Sequence, residues 1–135
     1  MFSITVELGD TWIDPVYQHV HHARCFSLME QARIAFLEAV GVPNERLLAE
    51  GKVFVITKVE VEFKREVKGA AVSVACDRVE VDGRTVTFHQ RIVNERQKTA
   101  VEGRIHLMCM GMETRRGIDV PSEVLEALAQ RSSRR

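Results

Sequence analysis

The chain has 135 residues, 45% hydrophobic and 28% charged, which suits a single globular domain over 1–135 with one ordinary core. Nineteen basic residues cancel nineteen acidic ones, so the overall field gives no reason to expect nucleic acid, an anionic membrane or a polyanionic partner. Cys25, Cys76 and Cys109 are widely spaced with no CxxC pair, and no stretch approaches the ~20 apolar residues of a membrane span, so a cytoplasmic protein with reduced thiols is expected.

Ile4 to Leu8 alternates apolar and polar residues and reads as a short strand ending at Gly9-Asp10; Thr11 to Val20 reads as a loop. From His22 to Val40, Cys25, Met29, Ala32, Phe36 and Ala39 recur at helical spacing, with Phe26, Ile34 and Leu37 widening the stripe. Gly41 and Pro43 stop this helix, and Asn44 to Glu50 adds one further turn. Lys52 to Phe63 alternates as a long half-buried strand, Ala71 to Val81 as another, and Asp82-Gly83 supplies a hairpin turn into Thr85 to Val93. Thr99 to Met110 is a last strand, and Pro121 opens a short closing helix. The polar tail, 131–135, is expected to fray. One long helix followed by four consecutive strands joined by hairpin-length turns predicts an α+β fold, an antiparallel sheet covering one largely apolar helix. Such a sheet has edges to hide, so a dimer that continues it is expected.

Chemistry concentrates in residues 14 to 25, DPVYQHVHHARC. A metal reading takes His19, His21 and His22 as ligands, but adjacent histidines point in different directions and no HExxH or CxxC supports them. A nucleophile reading pairs Cys25 with His21, yet Cys25 begins the apolar stripe, where a free thiol is usually core. A carboxylate reading places Asp14 in a loop that feeds a helix N-terminus, whose free amides near His22 to Arg24 can polarise a carbonyl. One such donor contributes ~2.7–4 kcal/mol at an oxyanion. The plainer alternative is that Asp14-Pro15 only initiates a turn.

The stretch QHVHHARCFSLMEQAR resembles the segment opening the central helix of hot-dog-fold thioesterases of the 4-hydroxybenzoyl-CoA thioesterase type, D-x-x-(G/Q)-H-V-N-N followed by E-x-A-R. The likeness continues through VEVEFKREVKGAAVSVACDRVEVDGRTVTFHQRIV and AVEGRIHLMCMGMETRRGIDVPSEVLEAL, and so covers nearly the whole chain. It implies a hot-dog fold, a long central helix wrapped by a five-stranded antiparallel sheet, assembled as a homodimer or homotetramer. His19 and Val20 match the family's His-Val, and His21 and His22 its two Asn positions. Asp14 matches the catalytic acid but precedes His19 by five positions where the motif has four, with Pro15 in strict register; Glu66 stands where Pro is usual and Ala70 where Asp is usual.

The resemblance implies hydrolysis of an acyl-CoA thioester without metal or cofactor. Asp14 would attack the carbonyl or activate water, and His19 and His22 would orient the acid or the water. His21, Ala23 and Thr57 would contact substrate. Glu30, which some hot-dog thioesterases use as base, is expected to pair with Arg33 at i+3. His89 and His106 are expected to be structural, and Lys64, Arg65, Lys68, Arg115 and Arg116 to be solvated cations from which coenzyme A phosphates would draw partners. The alternatives are a hydratase or dehydratase on acyl thioesters, and a non-catalytic acyl-thioester binder.

Overall fold

The computed structural model describes residues 2–133. In chain order they form β1 (Phe2–Glu7), α1 (His22–Ala39), α2 (Asn44–Ala49), β2 (Lys52–Phe63), β3 (Ala71–Asp82), β4 (Thr85–Val93), β5 (Thr99–Gly111) and α3 (Ser122–Ser133). The closing helix runs further than its apolar pattern indicated, into the tail expected to fray; Arg134 and Arg135 lie outside the described residues. All five strands join one antiparallel sheet in the order β1-β3-β4-β5-β2, with α1 laid across β1, β3 and β4. This is the α+β hot-dog arrangement, a central helix held in the curl of a single sheet.

Local signals place the hairpins correctly. Gly83 takes a left-handed φ of 62° at the β3–β4 turn, where a glycine meets no steric penalty. Asn94 closes the β4–β5 turn, its Oδ1 accepting from the amides of Arg96 and Lys98. The link between β2 and β3 is different. Although seven residues is a hairpin-length connection, β2 pairs with β5 at one edge of the sheet while β3 pairs with β1 and β4. The segment 64–70 instead crosses one end of the sheet. The amides of Lys64 and Arg65 donate to Ala100 O, Val67 O accepts from Val20, and Ala70 O accepts from Leu8. This crossing straps Val20, two residues before α1, to one end of the sheet.

The core lies between α1 and the inner face of the sheet, with Leu28, Met29, Ala32 and Phe36 against Val72, Val74, Phe88, Ile92 and Ile105. Arg33 belongs to the same buried face and makes no ion pair with the exposed Glu30. Its Nη1 donates to Gln90 Oε1 at 3.0 Å, and Gln90 Nε2 donates to Met29 O at 2.9 Å. The i, i+3 expectation fails because it treats both residues as surface, whereas the helix turns Arg33 toward the sheet. His106 is held between Thr87 Oγ1 and Glu60, and His89 against Glu80, both on the outer face. Among the described residues no helix is long and apolar enough to cross a membrane.

Candidate active site

The loop before α1 folds on itself. Ile13 and Val20 form an isolated antiparallel bridge, Asp14 N donates to His19 O at 2.9 Å, and Gln18 N donates to Asp14 O at 2.7 Å. Gln18 accommodates the closure with a φ of 60°, an uncommon conformation for a residue with a side chain. The loop between Asp14 and His19 turns outward, leaving Val16 79% and Tyr17 63% exposed. Asp14 Oδ1 accepts from Val16 N at 2.8 Å and Tyr17 N at 3.2 Å, the Asx-turn geometry of an Asp before Pro. These two bonds, Tyr17's first, hold its carboxyl below the usual carboxylate range.

After the loop, Val20 is buried and tied to Val67, and α1 begins. His21 is the N-cap: its backbone is extended and its Nδ1 accepts from Ala23 N at 3.2 Å. To accept, that nitrogen must carry no proton. Ala23's amide, expected to hold a substrate carbonyl, is therefore already occupied, and the helix-start amide left without a helical acceptor is that of His22. His19 Nδ1 lies 2.9 Å from Val20 O. A carbonyl can only accept, so His19 presents an N–H at Nδ1. Arg24 braces the other side, its Nη1 2.6 Å from Thr11 O and its guanidinium 4.5 Å from the Trp12 ring centre.

These residues open onto a cleft of about 430 Å³. One wall is Tyr17 and His19 to His22; the other is Phe63 to Val67, the end of β2 and the crossing segment, with Cys25 between them. His21 and His22 sit ring to ring at 4.1 Å, and His22 meets Phe63 edge-on at 6.1 Å. Burial pushes the Cys25 thiol up to about 11, which makes it a core group and not a thiolate nucleophile at neutral pH.

Of the residues expected at the site, His19, His21 and His22 converge on the cleft. Asp14, engaged in its own turn, lies outside the cleft walls. Thr57 is elsewhere, in the β2 bulge between Ile56 and Lys58, with Oγ1 donating to His106 O at 3.3 Å. The second wall was not anticipated, because only topology brings Phe63 to Val67 to the helix start. It contributes the cations Lys64 and Arg65 and a carboxylate, Glu66. Lys68, at 3.0 Å, lowers the Glu66 pKa most, and His19 also acts on it electrostatically.

Among curated proteins no sequence matches the chain significantly. Solved structures match over nearly its whole length. A hypothetical protein, TT1821, of Thermus thermophilus shares 24% identity with a TM-score of 0.85, over 95% of this chain and 97% of that one. A DHNA-CoA thioesterase of Staphylococcus aureus shares 17% with a TM-score of 0.83, over 97% and 90%. The hypothetical protein SAV2348 of Staphylococcus aureus, solved in complex with CoA, shares 15% with a TM-score of 0.81, over 96% and 82%. At these identities the likeness speaks to the fold. The model of the thioesterase-like superfamily, however, matches residues 8–128 continuously, from the end of β1 through the loop, the capped helix and both cleft walls into α3, and the chain belongs to that superfamily.

Proposed function

We propose that this protein hydrolyses an acyl-CoA thioester to a free acid and CoA in the cleft at the start of α1. The observation that carries this reading is the convergence of His19, His21 and His22, at a helix start, on a cleft edged by Lys64 and Arg65, in a chain of the thioesterase-like superfamily. The CoA complex of one structural relative and the CoA thioesterase name of another support the substrate class. The helix-start amide polarises the carbonyl where negative charge develops. His19 and His22 orient the acid or the attacking water, and Asp14, ionised at neutral pH, acts as nucleophile or general base. Lys64 and Arg65 are the cations best placed for the CoA phosphates. The test is thiol release from a panel of acyl-CoAs by the purified protein. Turnover is expected with at least one; saturable binding without thiol release favours the non-catalytic reading, to which the engagement of Asp14 in its own turn lends weight.

The pH profile separates the acid from the histidines. A carboxylate base is active when ionised, and Asp14's lowered pKa keeps it ionised further into acid than an ordinary Asp. With Asp14 as base, kcat/KM therefore holds level as pH falls from neutral and declines only below the usual carboxylate range. A decline that already begins above the carboxylate range would transfer the role to His19 or His22.

The active form is a dimer built on β2. This strand has one neighbour, β5, and Ile56, Val59 and Phe63 face the helix side of the sheet at 50%, 41% and 48% exposure. An edge carrying such a row is a pairing surface. Sedimentation is expected to give twice the protomer mass, and Val59→Lys, which turns a charge into that row, to shift the protein to monomer and lower thiol release together. An unchanged mass distribution in the variant removes β2 from the interface.

A further inference from the structure

A second concavity lies between α1, α2 and the beginning of β2, and shares no lining residue with the cleft at the helix start. Its volume is about 120 Å³, and its walls are mostly apolar: Ile34, Leu47, Leu48, Phe54 and Leu107 among them. Arg33 lines it too, although its residue surface is only 7% exposed. A buried guanidinium ordinarily has a carboxylate partner, since desolvating an unpaired charge is unfavourable. Arg33 has none within ion-pair distance among the described residues. One hydrogen bond, from Nη1, goes to the neutral amide of Gln90, which is itself anchored on Met29 O. That contact fixes the orientation of the guanidinium; its other N–H groups have no acceptor among the described residues and, none of them being sealed from solvent, open to the groove. The charged and titratable neighbours are Glu30 and Lys52 on the groove walls and the Cys76 thiol, with Lys52 paired to Glu50.

We propose that this groove binds a short organic carboxylate, with Arg33 holding the carboxylate and the apolar walls enclosing the hydrocarbon body. The planar guanidinium matches a carboxylate in two-point geometry. An apolar cavity of about 150 Å³ accepts benzene, so the groove suits a body of three or four carbons. A phosphate fits poorly, because a dianion with no hydrocarbon portion would meet apolar walls and the nearby Glu30 charge. The ligand class is also one that a thioester hydrolase releases, but the site stands on Arg33 and the groove alone, independently of that activity.

The experiment is titration of the full chain with sodium butyrate, followed by calorimetry and by saturation-transfer NMR, with butyramide as the neutral isostere. Butyrate is expected to bind saturably at one site per chain, and butyramide at least tenfold more weakly. Arg33→Gln, which can still donate to Gln90, is expected to lose at least tenfold in butyrate affinity, and Leu48→Trp, which fills the groove from an exposed position, to lose binding with Arg33 intact. Circular dichroism and thermal melting establish that each variant is folded; should Arg33→Gln not fold, Leu48→Trp and the isostere decide. Equal binding of butyrate and butyramide, absence of butyrate binding, or undiminished binding in folded Leu48→Trp overturns the proposal. No readout involves thiol release, so failure here is distinct from failure of the hydrolase reading.

Discussion

Asp14→Asn is expected to lower thiol release from the best acyl-CoA substrate by about 10²–10⁴-fold, the usual contribution of a positioned acid or base, while leaving the melting temperature nearly unchanged. The substitution isolates the charge. Asparagine retains an Oδ1 able to accept from the Val16 and Tyr17 amides, so the turn that shapes the loop survives. Asp14→Ala would remove both the charge and the turn, and its loss of activity would be harder to read. The geometry makes the result informative in either direction, because Asp14 lies outside the cleft walls while Glu66 lines the cleft itself. Full activity in Asp14→Asn would eliminate the acid that the family motif indicates and pass the role to Glu66, whose replacement by Gln would then be expected to cause the loss.

Much of the architecture is legible in the sequence because its signals are local. The helical spacing of Cys25, Met29, Ala32 and Phe36 sets α1 to within a residue at its C-terminus, and Asp82-Gly83 marks its hairpin. What lies beyond local pattern is partner choice. Val53 to Phe63 alternate in the same way whether the strand pairs with β3 or β5, and seven residues can turn back or cross over; only the assembled sheet decides. The site divides along the same line. His19, His21 and His22 announce themselves as a contiguous motif, whereas Phe63 to Val67 reach the cleft only through the crossing. Arg33 is the sharpest case. A charged residue beside a carboxylate at i−3 reads as surface, and its burial follows from lying on the Met29–Phe36 face, where Gln90, fifty-seven positions away, supplies its partner.

Phe36→Ala is expected to destabilise the fold by about 3–5 kcal/mol, a large part of the roughly 5–15 kcal/mol that holds a domain of this kind together. Phe36 is 3% exposed and packs edge-on against Phe2 at 5.6 Å and Phe88 at 5.7 Å, so one ring ties α1 to β1 and β4 at once. Truncation removes its buried area and both aromatic contacts, and leaves a cavity between a helix and a sheet that are each fixed by their own hydrogen bonds. Urea unfolding is the measurement, with a lower midpoint at unchanged slope as the expected outcome. Phe36 lies about four turns from His22, or about 21 Å along the helix, so the fraction that remains folded should keep its kcat. A stability loss below about 1 kcal/mol would mean that α1 settles into the gap. A fall in kcat of the folded protein would mean that the helix start is positioned from its far end, and not by the Val20–Val67 strap and the His21 cap.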